Sequence, residues 1–532
     1  MARSAHVDTF AADNLPRLEQ WPDLRFDLPE LRYPEQLNCG EQLLDRTMDR
    51  VGADRPCLIS NGRTWTYGET LETVNQIAHV LVDDLGIVPG NRVLLRGPNN
   101  AWYAAAWLAT AKAGAVAVPT MPLYRAAELR AIVDRAEVTT ALCDHRYLDE
   151  LAPIERHVDI VPWGGSESDD LSQRITSKPP SFDAVQTAAD DVCLIAFTSG
   201  TTGQPKGCAH FHRDILAIAD TFSTHLIKPE LHDVFTGSPP LAFTYGLGQL
   251  LVFPLRAGAA TLLLEDGSPQ QLAEAIVEHG ATVVGTAPTA YRAMLNVGPW
   301  NPTTLRRCVS AGETLPKPTF EAFREQTGIK MIDGIGSTEM LHVFISAADD
   351  DIRPGATGVP VPGYQARVVG DDGEPVPDGK VGRLAVRGPT GCRYVADARQ
   401  IEYVQDGWNL TGDAYIRDED GYFWYQARTD DMIISSGYNI AGPEVEAALL
   451  SHPDVVETGV VGVPDDERGQ IVKAYVVTRA GVDASERLVT QLQDHVKRTI
   501  APYKYPRQIE FIGELPRTQT GKVQRYRLRQ RS

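Results

Sequence analysis

Residues 195 to 207 read IAFTSGTTGQPKG, an apolar run followed by four hydroxyls (Thr198, Ser199, Thr201, Thr202), three glycines (Gly200, Gly203, Gly207) and Lys206. Glycines let main-chain N–H groups close around an anion, hydroxyls add donors, and a lysine supplies a point charge, so the segment suits a polyphosphate. Its spacing is not the G-x-x-x-x-G-K-[ST] of nucleoside triphosphatases, because Pro205 precedes the lysine and Gly207 follows it. A flexible linker is the plain alternative, but linkers rarely follow a buried-strand pattern with so dense a hydroxyl set. A second segment, GIGSTEMLHVF at 334 to 344, gathers Ser337, Thr338, Glu339 and His342. Taken alone, it also reads as a helix N-terminus with a hydroxyl cap and a capping-box acid. Lys522 lies in a basic stretch: from Lys497 to the end there are ten Arg or Lys against two acids, Glu510 and Glu514. Without a motif, that is solvated tail charge.

The elements that must position these groups are legible in the hydrophobic pattern. From 92 to 142, RVLLRG, AWYAAAWLATAKAG, AVAVPT, RAAELRAIVDRAEV and TTALCD alternate as strand, helix, strand, helix, strand. A second series, with PQQLAEAIVEHG as a helix between ATLLLE and ATVVGTAPT, follows from 250 to 310. The alternation predicts an α/β, multidomain chain whose large N-terminal body holds mostly parallel sheets flanked by helices. After about 354, Gly- and Pro-rich segments with short strands predict a small antiparallel β unit. From about 430 a helix, two strands and a further amphipathic helix predict a compact α+β C-terminal domain. The boundary is placed at Asp430, giving a body of 1–429 and a C-terminal domain of 430–532.

Composition narrows the classes. The 532 residues exceed one ordinary core, and 43% hydrophobic with 23% charged residues is an ordinary globular balance. With 51 Lys plus Arg against 70 Asp plus Glu, a net charge of -19 argues against nucleic acid or an anionic membrane as partner. Seven scattered cysteines without a CxxC pair suggest neither a disulfide framework nor a zinc site, and fit a reducing cytoplasm. The N-terminus lacks an apolar signal core, and the most apolar stretches, around 101 to 120 and 247 to 264, are broken by Lys112 and by Pro254 and Arg256.

The phosphate-loop segment resembles the signature of adenylate-forming enzymes, the superfamily of acyl-CoA synthetases, nonribosomal adenylation domains and firefly luciferase. SAGE (310 to 313), GSTE (336 to 339), TGD (411 to 413), ARTDDMIISSGYNI (427 to 440) and PRTQTGK (516 to 522) follow in the family's order, so the resemblance covers the chain from about residue 45 onward. It implies attack of a carboxylate on the α-phosphate of ATP, then displacement of AMP by the thiol of coenzyme A. Such transfers are catalysed mainly by positioning and charge stabilisation.

Carried over position by position, the resemblance assigns Thr198, Ser199, Gly200, Thr201, Thr202, Gly203 and Lys206 to the β- and γ-phosphates. Thr338 goes to the α-phosphate, and Glu339 to Mg2+, a hard cation that takes carboxylate oxygen. It places Ala311, Gly312, Glu313, Asp333, Gly334 and Ser337 around the nucleotide, and Asp413 on the ribose hydroxyls with Arg428 assisting. An Asx turn is the plain alternative for Asp413. Lys522 is implied to reach the carboxylate and α-phosphate. The C-terminal domain is then implied to rotate about Asp430, bringing Gly437 and Tyr438 to the pantetheine arm, with Tyr503, Lys504 and Arg507 near the rest of CoA.

LAFTYGLGQLLVFPL (241 to 255) and the opening stretch are most similar to benzoate- and 2-aminobenzoate-CoA ligases. The aryl pocket so implied comprises Thr244, Tyr245, Ala311, Gly336, His342 and Val343. Benzoate-CoA ligases commonly carry alanine where Thr244 stands, so the Thr244 hydroxyl, with His342, is a candidate partner for an ortho substituent, as in 2-aminobenzoate or salicylate. Equally, Thr244 fills space or bonds its own backbone. The expectation is an AMP-forming aryl carboxylate-CoA ligase, monomeric or homodimeric, acting on 2-aminobenzoate. Salicylate or benzoate as the acid, a carrier-protein thiol as acceptor, and a noncatalytic nucleotide-binding protein are the alternatives.

Overall fold

A computed structural model describes residues 3–198, 205–297, 300, 302–428, 431–435, 438–465, 468–500, 502–517 and 522–531. The first strand–helix series builds a six-stranded sheet in the order Asp159–Trp163, Thr140–Asp144, Arg92–Arg96, Val116–Thr120, Val192–Thr198, Lys206–Phe211. The first five strands are parallel and the last returns antiparallel. Its helix Ala101–Lys112 starts at Asn100, whose side chain accepts the Tyr103 N–H. The helix is buried on nearly every side, as an element covering a parallel sheet inside a large body must be. Lys112 is itself buried and donates to Asp45 and Asn75. Among the described residues, no helix is long and apolar enough to cross a membrane.

The second series builds a nine-stranded sheet: Val359–Pro360, Val343–Ser346, Ile332–Gly336, Arg307–Ala311, Val283–Thr286, Val234–Gly237, Ala260–Leu263, Pro56–Ser60, Arg63–Thr66. Its interior pairs are parallel and both margins antiparallel. Parallel strands present their carboxyl ends together, and in open α/β sheets ligands bind outside those ends. Thr198, Ala311 and Gly336 each terminate such a strand.

The segment 334 to 344 is a strand, a tight turn and a returning strand, with Gly336 in register with Val343. The cap-like pattern that also predicts a helix start forms a single turn: Ser337 Oγ accepts the Met340 N–H at 3.2 Å, and Thr338 O accepts the Leu341 N–H at 3.1 Å. It stops there because Leu341 adopts φ 68, a left-handed conformation that reverses the chain and is uncommon for a bulky residue.

The small β unit is antiparallel, in the order Gln365–Val369, Val381–Arg387, Trp408–Arg417, Val404–Gln405, with Phe423–Arg428 beside Trp408–Arg417. Beyond it, Ile433–Ser435, Tyr438–Ile440, Val455–Asp465, Gly469–Thr478 and Gln508–Phe511 form a separate sheet. The helices Gly442–Leu450 and Glu486–Thr499 share a core with it. The predicted boundary residue Asp430 lies outside the described residues.

Candidate active site

Of the phosphate segment, Thr198 is described at its strand end, half-buried, whereas Ser199, Gly200, Thr201, Thr202 and Gly203 lie outside the described residues. Where the chain resumes, Lys206 donates to the Tyr394 hydroxyl at 2.8 Å, lies 4.7 Å from that ring's centre, and stands 3.9 Å from Glu339. Tyr394 in turn donates to Glu339 Oε1 at 2.5 Å. Burial and the Glu339 carboxylate drive the Tyr394 phenol far above its ordinary range, so it remains a donor. A carboxylate, a phenol and an ammonium thus share one corner, chemically suited to a hard divalent cation and phosphate oxygens.

Thr338 and Glu339 are held from behind. His210 Nε2 donates to the Thr338 carbonyl at 2.8 Å, and its Nδ1 lies 3.8 Å from Asp214. Asp214 pairs with Arg393, whose guanidinium also lies 3.9 Å from the centre of the Phe211 ring. All three charged side chains are fully buried. Burial works against the protonated imidazole, but Cys208 and Asp214 outweigh it and raise the His210 pKa. Arg393 comes from beyond the small unit's first strands, Asp214 from the helix His212–Ile218 and His210 from the strand Lys206–Phe211, so one charge chain ties distant parts of the chain to a single turn. Sequence spacing gave no signal for Tyr394, His210, Asp214 or Arg393; only their adjacency in space does.

Asp413 lies within the strand Trp408–Arg417 and not in an Asx turn, its carboxylate 3.3 Å from Arg428 across the ladder. Gly412 is required by this geometry: its φ is 77, and a Cβ there would lie 2.8 Å from Arg428 Nη2. Burial raises the Asp413 pKa, while Arg428 and Lys522 oppose it. Glu313 behaves alike, raised by burial and opposed by Thr289, by Arg517, 3.8 Å away, and by Lys522. The charge of Lys522 therefore acts on both acids from the C-terminal unit. Ser337 Oγ meets the Tyr403 hydroxyl at 3.2 Å. Ala311 pairs with Gly334 across the parallel strands, and Gly312 follows at the strand end with open space above it. Asp333 is the outlier. Burial pushes it up to about 7, Ser310 and the Gly334 amide offsetting this only in part, and its Oδ1 has no hydrogen-bond partner among the described residues. A buried acceptor without a donor calls for a partner from water or from a ligand.

On the other side of the turn, Tyr245 donates to the Val309 carbonyl at 3.0 Å. The His342 ring packs 5.7 Å from Tyr245, 4.6 Å from Phe253 and 5.3 Å from Phe222. Burial pushes His342 down to about 3, so the imidazole is neutral at ordinary pH. Ala311 and Val343 are buried beside it. Gly336 admits no side chain, since a Cβ would lie 2.7 Å from the His342 carbonyl oxygen. Tyr438 is described in the main chain, in the strand Tyr438–Ile440; Gly437 lies outside the described residues.

Residues 44–394 match the AMP-binding enzyme family, and residues 444–522 match the AMP-binding enzyme C-terminal domain. The chain is 34% identical to a benzoate–CoA ligase of Thauera aromatica, over 94% of this chain and 97% of that one. It is 31% identical to a 4-hydroxybenzoate–CoA/benzoate–CoA ligase of Rhodopseudomonas palustris, over 93% and 94%. Among solved structures, it is similar to an anthranilate CoA ligase bound to anthranoyl-AMP, with TM-score 0.90, 32% identity and coverage of 95% and 99%. A benzoate CoA ligase from Burkholderia xenovorans gives TM-score 0.85, 31% identity and coverage of 92% and 99%.

Two stability measurements check this geometry. Asp214→Ala strands the Arg393 charge in the core and is expected to lower unfolding free energy by about 3–5 kcal/mol in chemical denaturation; a loss below about 1 kcal/mol contradicts the buried pair. Asp333 has a folded pKa above its unfolded value of 3.8, so its neutral form is the one the fold favours, and stability is lost as pH rises from about 4 through about 7. Asp333→Asn, which mimics the neutral acid, is therefore expected to be more stable than the parent at pH 8 and indistinguishable from it near pH 4.

Proposed function

The chain belongs to the AMP-binding enzyme family, and from that premise we propose that its acid is 2-aminobenzoate, activated and passed to coenzyme A. The coarser activity is that of an AMP-forming acid–thiol ligase acting on benzoate-type carboxylates with ATP, Mg2+ and CoA. The observation that carries the finer reading is Thr244. It stands at the first turn of the helix Thr244–Leu247, only 7% exposed, and its hydroxyl has no hydrogen-bond partner among the described residues. Of its two plain roles, bonding its own backbone is not in use, which leaves filling space as the alternative to a hydroxyl that receives an ortho amino group. His342, neutral, adds an uncharged second edge.

In the proposed first step, Lys522 approaches the carboxylate and α-phosphate, while Lys206 and the hydroxyls from Thr198 to Thr202 hold the β- and γ-phosphates. Thr338 donates to the α-phosphate. Mg2+, when bound, neutralises phosphate charge; Glu339, whose carboxylate already sits between the Tyr394 phenol and Lys206, is the residue that would hold it. The adenine amino group finds the orphaned Asp333 Oδ1, beside Gly334, Gly312, Glu313 and Ser337. Asp413 accepts from the ribose hydroxyls with Arg428 behind it. Developing charge is met by groups already oriented before the reaction, where they are worth most.

The arrangement in which Lys522 acts on Glu313 and Asp413 supports a reading of residues 1–429 as the acid- and ATP-binding body and 430–532 as a mobile domain seated for adenylate formation. Rotation about Asp430 then withdraws Lys522 and brings Gly437 and Tyr438 to the pantetheine arm. We infer a cytoplasmic enzyme, monomeric or homodimeric, in keeping with seven free, buried cysteines.

In a panel of benzoate, 2-aminobenzoate and salicylate, CoA-dependent AMP release is expected to be fastest with 2-aminobenzoate. Thr244→Ala is expected to shrink its kcat/KM advantage over benzoate by about tenfold, the worth of one hydrogen bond. An unchanged ratio removes Thr244, and salicylate leading instead replaces the amine by a hydroxyl. Lys522→Ala is expected to reduce acid-dependent ATP–pyrophosphate exchange by about a hundredfold or more, whereas thioester formation from supplied aroyl adenylate persists. AMP release independent of CoA favours a carrier-protein thiol as acceptor.

A further inference from the structure

Gln249 is fully buried, and neither its Oε1 nor its Nε2 has a hydrogen-bond partner among the described residues. An amide left unpaired at both ends is costly, and a buried polar group without a partner in the protein calls for one from outside it. Helix geometry fixes where that partner sits. The α-helical turn Thr244–Leu247 passes into a π-helical turn, Gly248–Val252, a feature frequent at functional sites. Gln249 follows Tyr245 by four residues and shares its face. Tyr245 donates to the carbonyl of Val309 and reaches that of Thr286, and the Gln249 side chain lies over the neighbouring Gly285. A Cβ on Gly285 would stand 2.4 Å from Gln249 Cγ and 3.0 Å from Nε2, so the amide occupies the space a side chain at 285 would fill. Gly248, in the same turn, makes the matching space for His342, whose Cδ2 would lie 2.4 Å from a Cβ there.

Gln249 thus shares a helix face with Tyr245 and follows Gly248, which packs on His342, in the region read as the acid site, where Ala311 and Val343 are buried and apolar. The helix enters the body at Thr244 and is completely buried from Gln249 to Phe253. In the proposed binding pose, with the carboxylate taken by Thr338 and Lys522, Gln249 stands toward the far end of the ring. We propose that the Gln249 amide selects ring substituents, receiving a hydroxyl or amino group meta or para to the carboxylate. Its Nε2–H donates to the substituent's lone pair and its Oε1 accepts the substituent's proton. The substrate class is then a benzoate that carries a hydrogen-bonding group on its distal edge, alone or beside the ortho group read by Thr244. This rests on the reading of the slot as an aryl-acid site. A site whose buried polar group is satisfied by substrate rejects the analogue that lacks the partner.

The test compares kcat/KM for benzoate, 2-aminobenzoate, 3-hydroxybenzoate and 4-hydroxybenzoate in the full chain and in Gln249→Leu and Gln249→Met, with thermal unfolding of each ligand-free protein. Expected is a parent preference for 3- or 4-hydroxybenzoate over benzoate that falls by about tenfold or more in both variants. The 2-aminobenzoate to benzoate ratio stays fixed, and Tm is equal or higher because an orphaned amide has been removed. Hydroxybenzoate ratios unchanged by both variants, or a lowered Tm or failure to fold in both, assign the amide to internal structure or bound water and overturn the proposal. A parent protein that releases no AMP with any of the four acids overturns the aryl-acid reading, and the proposal with it.

Discussion

Arg393 and Asp214 form an ion pair with both side chains fully buried, and the turn from Ser337 to Leu341 hangs from it through His210 and the Thr338 carbonyl. That turn carries the Thr338 hydroxyl and the Glu339 carboxylate side by side, and it includes a left-handed Leu341. A buried pair is weak evidence for stability, because desolvation offsets most of its attraction, but it is exacting about geometry once formed. Here the exactness is delivered to the Thr338 carbonyl, one residue from Glu339.

The rest of the site follows from where the two parallel sheets end. Thr198, Ala311 and Gly336 terminate strands of different sheets or different positions within one, and the residues around them divide into a polar group and an apolar group. On the polar side, burial raises Asp333, Asp413 and Glu313, and cations from the small β unit and the C-terminal unit lower the last two. On the apolar side, burial keeps His342 neutral among Phe222, Tyr245 and Phe253. One physical cause, removal from water, thus acts on both groups: it raises the acids, which have partners, and keeps the imidazole uncharged.

Much of this is legible in the order of residues because local rules and the fold agree. The series from 92 to 142 forms the strands and helices its periodicity predicts, and Gly-rich spacing correctly marks the small β unit after 354. Where the pattern is ambiguous, the deciding term is long-range. Ser-Thr-Glu after glycine reads as a helix cap until strand Val343–Ser346 pairs back on Ile332–Gly336. Lys112 reads as a charge that breaks an apolar span, and proves to be a buried partner of Asp45 and Asn75. His210, Asp214, Arg393 and Tyr394 are silent in sequence, because a lone histidine or arginine carries no sign of a partner more than a hundred residues away. Gln249 is silent for the same reason: its orphaned amide is defined by what surrounds it.

The central claim is that one turn joins the nucleotide half of the site to the aryl half. It is tested most directly by a crystal structure of the protein with a nonhydrolysable 2-aminobenzoyl adenylate analogue. The account predicts adenine against Asp333 and Gly334, ribose on Asp413, the phosphate mimic at Thr338, and the ring lying between Tyr245 and His342 over Gly336. A ring bound outside that slot, or a ribose away from Asp413, would contradict it.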